Sequence, residues 1–167
     1  MRAPGSLLVL LTLSIAAPAA AGAATQTATG QASILSPLSV LKNADLDFGE
    51  LIVTGSGTAL VDPLAGSLTT TGGVTKAGTA AHAAQFTGTG SKNSVVHIRV
   101  PTAPITVTRV GGTETMTVSN WTLDAPANLK VPANDIFNFA VGATLNVGAA
   151  QVAGTYAGTF QVTVQYP

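Results

Sequence analysis

Gly154-Thr-Tyr-Ala-Gly-Thr-Phe-Gln-Val-Thr-Val-Gln-Tyr-Pro167 closes the chain and decides how the rest of it is read. Its even positions are Gly154, Tyr156, Gly158, Phe160, Val162, Val164 and Tyr166, and its odd positions are Thr155, Ala157, Thr159, Gln161, Thr163 and Gln165. Side chains on a strand point to alternate faces. A strict period of two therefore predicts a strand from Tyr156 to Tyr166 with one face in a core and one in water. The pattern persists to the penultimate residue, where chains ordinarily fray.

Shorter runs of the same kind lie upstream, separated by turn residues. Ala32–Leu41 is broken by Pro37. Asp45–Val53 carries Leu46 and Phe48 on one face and is expected to turn at Gly55-Ser-Gly57. Ala59–Val61 leads to Asp62-Pro63, and Ser67–Thr71 is expected to end at Gly72-Gly73. Ala83–Thr87, Ser94–Val100, Ile105–Val110 and Thr115–Trp121 follow, the last two joined by a hairpin turn at Gly111-Gly112. Ile136–Val141 and Ala143–Val147 precede the terminal strand. Gly and Pro recur too often for a helix of ordinary length. The expected fold is an all-β, antiparallel sandwich or barrel in one domain.

The N-terminus has the form of a cleaved secretory signal peptide over residues 1–23. Arg2 precedes the apolar run Leu7–Ile15, and Ala21-Gly22-Ala23 offers small residues for cleavage. That run is too short to span a bilayer, which takes about 20 residues. An exported chain starting near Ala24 is expected. Only 8% of residues are charged and the formal net charge is +0, which leaves no basic surface for nucleic acid or anionic lipid. The absence of cysteine excludes disulfides, thiol catalysis and thiolate metal sites, so stability must come from the core and the sheets.

Catalytic motifs are missing, and no enzyme, cofactor or metal is expected. His82 and His97 lie in different segments without metal-ligand spacing. Asp45 and Asp47 share the face opposite Leu46 and Phe48, and two carboxylates fall short of a calcium shell. Gly88-Thr-Gly-Ser-Lys92 lacks the full phosphate-loop pattern and reads as a turn. Asn120-Trp-Thr122 is a glycosylation sequon by letters. Trp121 reads as a core anchor, with a sugar-stacking platform as the alternative.

A second alternating segment occupies the other terminus of the exported chain. Within residues 24–35, Ala28, Gly30, Ala32 and Ile34 alternate with Thr27, Thr29, Gln31 and Ser33. Such a segment suits strand addition to the terminal strand of another copy; a leader or an intramolecular first strand are the other readings.

Gly154, fourteenth from the end, and the penultimate Tyr166, with alternating apolar residues between them, resemble the C-terminal signature of chaperone–usher pilin subunits. Pro37–Lys42, Asp45–Gly49, Ala83–Phe86, Val141–Leu145 and Gly154–Phe160 resemble the bacterial secreted family called domain of unknown function 4402. That family is similar to spore coat protein U-like pilins. The resemblance implies an immunoglobulin-like (pilin-like) β-sandwich over residues 36–167 and an N-terminal extension over 24–35. It implies that Gly154, Tyr156, Phe160, Val162, Val164 and Tyr166 form the strand met first by a periplasmic chaperone and then by a donor strand. Ala28, Gly30, Ala32 and Ile34 would be the face this subunit donates. It further implies a fimbrial subunit, delivered through a periplasmic chaperone and an outer-membrane usher to the cell surface, polymerising head to tail with like subunits. One departure is the disulfide of coat-U-like pilins, which this chain cannot form. The alternative function is a monomeric secreted binding module, for instance for carbohydrate.

Overall fold

A computed structural model describes Gly22 and residues 24–78 and 80–167. The expected signal peptide lies outside the described residues apart from Gly22. Two compact units are distinguished, one ending at Ser33 and one comprising Ile34–Pro167. In the first, residues 24–33 carry neither helix nor strand.

The second unit is all-β, and every strand pairing in it is antiparallel. Its strands are β1 (Ser39–Ala44), β2 (Leu51–Val61), β3 (Leu68–Lys76), β4 (Ala84–Thr89), β5 (Val95–Arg99) and β6 (Ile105–Arg109). They continue with β7 (Thr115–Leu123), β8 (Asn128–Lys130), β9 (Ile136–Val147), β10 (Tyr156–Ala157) and β11 (Thr163–Gln165). The larger sheet runs β1-β4-β9-β7-β6-β10, with β2 also on β9 and β3 on β2. The smaller sheet is β11-β5-β8.

The two sheets face each other across one aromatic core. Val96 and Ile98 of β5 pack with Phe86 of β4 and with Phe137, Phe139 and Val141 of β9. The rings of Phe86 and Phe139 stack at 5.1 Å, and those of Phe139 and Phe137 follow at 6.3 Å. A second cluster, Ala59, Val74, Val118, Ala143, Leu145 and Val147, lies on the larger sheet. Leu46 and Phe48 pack against it from the β1–β2 connection. The result is a sandwich-like fold.

β9 organises both clusters. Its first half pairs with β4 as far as Ala84 opposite Val141, and its second half pairs with β2 from Ala143 opposite Val61. Gly142 sits at the change of partner. A Cβ there would lie 2.2 Å from the Val61 carbonyl oxygen, so only glycine lets the two backbones come this close. The interruption expected between residues 141 and 143 is therefore absent, and one strand replaces the two that were expected.

Glycine misleads elsewhere for the same reason. Gly55-Ser-Gly57 and Gly72-Gly73 were expected as turns, yet they lie within β2 and β3, where the register shifts between Val53 and Gly57. A Cβ on Gly73 would meet the Gly55 backbone at 2.4 Å. These glycines serve close approach at a bulge. The real β2–β3 turn follows Asp62, whose Oδ1 accepts hydrogen bonds from Leu64 N–H and Ala65 N–H. Gly111 (φ +76°) turns β6 into β7 as expected. Asp45–Val53 is not one strand: Asp47 Oδ1 accepts from Gly49 N–H in an Asx-type turn, Gly49 takes φ +67°, and pairing starts at Leu51.

Replacing Gly142 with Ala should destabilise the fold by about 1–3 kcal/mol, because the obstacle is backbone and cannot swing aside. The urea midpoint should fall with little change in the denaturant slope. An unchanged midpoint would show that β9 does not depend on that close approach.

Candidate strand-acceptor seam

The C-terminal segment is not one strand. β10 lies on the larger sheet, with Tyr156 opposite Arg109 and Ala157 opposite Thr108. β11 lies on the smaller sheet, with Thr163, Val164 and Gln165 opposite Arg99, Ile98 and His97. Between them, residues 158–162 carry no strand assignment. Gly158 fits flush on β6, where a Cβ would lie 2.7 Å from the Thr106 carbonyl oxygen. Pairing with one sheet ends there, and the chain crosses to the other.

The side-chain alternation survives the crossing. Phe160, Val162, Val164 and Tyr166 are half-buried against the aromatic core, while Thr159, Gln161, Thr163 and Gln165 are exposed. Phe160 rests on Trp121 with ring centroids 4.6 Å apart. Tyr156 is placed differently: its hydroxyl donates to the Val152 carbonyl and accepts from Gln151 Nε2. Gly154, at φ +150°, passes beside Arg109, where a Cβ would meet Cδ at 2.9 Å. Of the six terminal-strand residues, four therefore converge on the core and two tie the segment to the β6 edge.

Two free strand edges border the same core. β11 has β5 as its one partner, and β1 has β4 as its one partner, among the described residues. Val40 of β1 is paired with Gly88 and so shares the core face with Phe137, which is also opposite Gly88. Phe137 is 2% exposed, yet Val40 is 41% exposed. The core thus lacks cover beside β1, where Leu38 is also only half-buried. At one end the borders meet: Tyr166 Oη donates to the Ser36 carbonyl at 3.0 Å and accepts from Ser91 N–H at 2.7 Å.

The other alternating segment has no strand pairing among the described residues. Ala28, Gly30 and Ala32 are exposed and outside any strand, and Ile34 is 97% exposed. The structure therefore brings Phe160, Val162, Val164 and Tyr166 together, while Ala28, Gly30 and Ala32 carry no strand assignment.

Other polar groups have local partners. Lys42 pairs with Asp45. His82 and Asp47 exchange backbone hydrogen bonds at an isolated bridge, and His97 lies on β5 opposite Gln165 and Asn128. No cluster of three or more His, Cys, Asp or Glu suited to a metal ion occurs among the described residues. Trp121 packs against both core clusters, and its Nε1–H is buried without a protein partner. A shallow groove of about 410 Å³ beside it is lined by Val100, Pro101, Pro104, Ser119 and Asn120. Gly88-Thr-Gly-Ser-Lys92 ends β4 and enters a turn. Gly88 makes room for the Phe137 ring, which a Cβ would approach to 2.1 Å. Gly90 makes room for Tyr166 Oη, which a Cβ would approach to 2.9 Å. Ser36, Ser91 and Gly90 are the seam residues that sequence reading missed, and the Gly-x-Gly pair inside a strand pattern is the one signal that pointed to them.

The model of the family described as Domain of unknown function (DUF4402) matches residues 38–166, and the chain belongs to that family. No curated protein and no solved structure matches it. No helix among the described residues is long and apolar enough to cross a membrane.

Arg109 Nε contacts Glu114 Oε2 at 2.6 Å beside Gly154. This hydrogen bond, with the attraction of opposite charges, holds the Glu114 carboxyl below the usual carboxylate range and raises Arg109. A depressed folded-state value means stability that is present above the ordinary carboxylate value. It is lost as pH falls through that value and then the folded one. Glu114→Gln should lower the thermal midpoint slightly at neutral pH and match the parent protein in strong acid. A deficit that widens on acidification would contradict this account.

Proposed function

We propose that this family member is a non-enzymatic, exported structural subunit of a fimbria-like surface polymer, joined to the next copy by donor-strand exchange. The observation that carries the reading is the pairing of opposites within one chain: a core bordered by two strand edges with one partner each, and an alternating extension with no strand assignment, among the described residues. Strand addition satisfies both at once, because an inserted strand takes up backbone hydrogen bonds along the free edge and covers the half-exposed side chains. Each copy would donate through Ala28, Gly30, Ala32 and Ile34 and accept along Phe160, Val162, Val164 and Tyr166. Such heterologous contacts do not close on themselves, so they build filaments.

The signal-peptide pattern supports export to the periplasm, and the pilin resemblance supports display at the cell surface. A periplasmic chaperone covering the same seam before assembly, and an outer-membrane usher, complete the proposal, with like subunits as the lasting partners. The energetics favour the main chain. Burying Ile34 contributes roughly 1.5–3 kcal/mol, and each new backbone hydrogen bond adds about 0.5–1.5 kcal/mol.

Unboiled protein purified from periplasm should run on a denaturing gel as a ladder of detergent-resistant multimers. Deleting residues 24–35 should collapse the ladder to monomer while the deleted chain still accepts extensions from intact copies. A ladder undiminished by the deletion would reject the donor assignment. A lone monomer band from the intact chain would favour a self-contained module.

A further inference from the structure

The seam is open along β11 but shut at its end. Tyr166 Oη lies 3.0 Å from the Ser36 carbonyl oxygen and 2.7 Å from Ser91 N. Ser36 N–H in turn donates to Ser91 Oγ, so both backbone groups of Ser36 are held. The loop carrying Ser91 is itself fixed. Gly90 N–H donates to the Asp135 carbonyl, Lys92 N–H to Asp135 Oδ1, and Asn93 N–H to the Val131 carbonyl. A Cβ at Gly90 would approach the Tyr166 hydroxyl to 2.9 Å and Leu38 Cδ1 to 3.0 Å, so glycine lets both sit close above the loop.

Adjacent strands lie about 4.7–4.9 Å apart. A strand inserted between two others therefore needs roughly twice that distance between its neighbours. At Ser36 the tyrosine side chain bridges the two borders: the Ser36 carbonyl accepts from Tyr166 Oη and its N–H donates to Ser91 Oγ, so neither backbone group is free to pair with an incoming strand. At Val162 and Val164 the outer edge is unpaired.

We propose that Tyr166 is an end-stop: its hydroxyl, clamped between Ser36 and Ser91, halts an incoming strand from a second copy at Val164 and so sets the register of donation. The inference rests on the strand-donation reading above and adds to it a positioning residue. The clamp also fixes the root of the subunit's own extension, since Ile34 and Leu35 leave the fold directly before Ser36. A shift of register by one residue turns a donor's inward face outward, and a shift of two moves every side chain one pocket along. An apolar face of Ala28, Gly30 and Ala32 cannot itself define the register, because its side chains are nearly alike. A physical stop adds a second constraint to the one Ile34 supplies.

The chain has no cysteine, so introduced thiols report register cleanly. Copies carrying Ala28→Cys, near the tip of the extension, would be assembled with copies carrying Val162→Cys or Val164→Cys, oxidised mildly, and the cross-linked pairs counted. With Tyr166 intact, Ala28→Cys should join one of the two positions about fivefold or more over the other. That is the discrimination expected from about one net hydrogen bond. In a Tyr166→Phe background, which keeps the ring and removes the hydroxyl, the two positions should approach parity. Ser91→Ala, which frees Ser36 N–H alone, should fall between. A preference unchanged by Tyr166→Phe overturns the end-stop. So does a lowered thermal midpoint with the cross-link pattern intact, which would make the hydroxyl merely structural. No cross-link at either position in either background rejects strand donation itself, and the end-stop with it.

Discussion

Close approach of β9 to its neighbours is the constraint on which the other elements depend. This 12-residue strand pairs with β4, β2 and β7 and carries residues of both main core clusters on its inward face. The Phe86, Phe139 and Phe137 rings stack in a column, which requires that Gly88 has no side chain beneath Phe137. The change from β4 to β2 requires that Gly142 has none either. With no disulfide and a charge content of 8%, the fold relies on these contacts and on its backbone ladders. Glycine, usually a cost inside a strand through lost packing and entropy, is here the condition for dense packing.

A central strand so well paired moves the unsatisfied edges to the periphery. Proteins commonly blunt such edges with charge, proline or a bulge, because an open strand edge recruits others. The stretch Gly154–Tyr166 contains no charged residue at all, and its proline stands only at position 167. It is moreover an edge in both sheets, through β10 and β11, so its outer side is unpaired in each. Neither charge nor proline guards the two short edges of β10 and β11. The strand-addition reading accounts for that choice of residues.

The period-two pattern made the fold class and the half-buried face of the terminal segment legible. Phe160, Val162, Val164 and Tyr166 all lie where alternation puts them. Three things escaped, each for a physical reason. Glycines at residues 55, 57, 72, 73 and 142 carry the local signal of a turn, and only the neighbouring backbone, far away in sequence, distinguishes a turn from a close approach. β8 holds Leu129 as its one large apolar residue, too little for a periodic signal, although Val96 of β5 lies opposite it. The clamp at Tyr166 joins residues 75 and 130 positions away, beyond the reach of any local pattern. Even the change of sheet between Ala157 and Thr163 leaves the alternation untouched, since a crossing strand keeps its inward face on the shared core.

The depth of the seam bears on the character of its occupant. Phe86 and Phe137 are 8% and 2% exposed, so the aromatic floor is already covered within the subunit. What remains uncovered is the rim, formed by Leu38, Val40, Val162 and Val164. A shallow rim offers no holes for bulky anchors, and a donor with large side chains would be held away from the edge it must pair with. Ala28, Gly30 and Ala32 let a backbone approach closely, and Ile34 supplies one larger apolar contact near the root. On the strand-donation proposal, the small residues of the extension, which look like a weakness when burial alone is counted, would suit a seam that holds its occupant through backbone hydrogen bonds rather than deep pockets. On that proposal Ile34 alone distinguishes one register from another on the donor side, and the clamped hydroxyl of Tyr166 would add the second constraint.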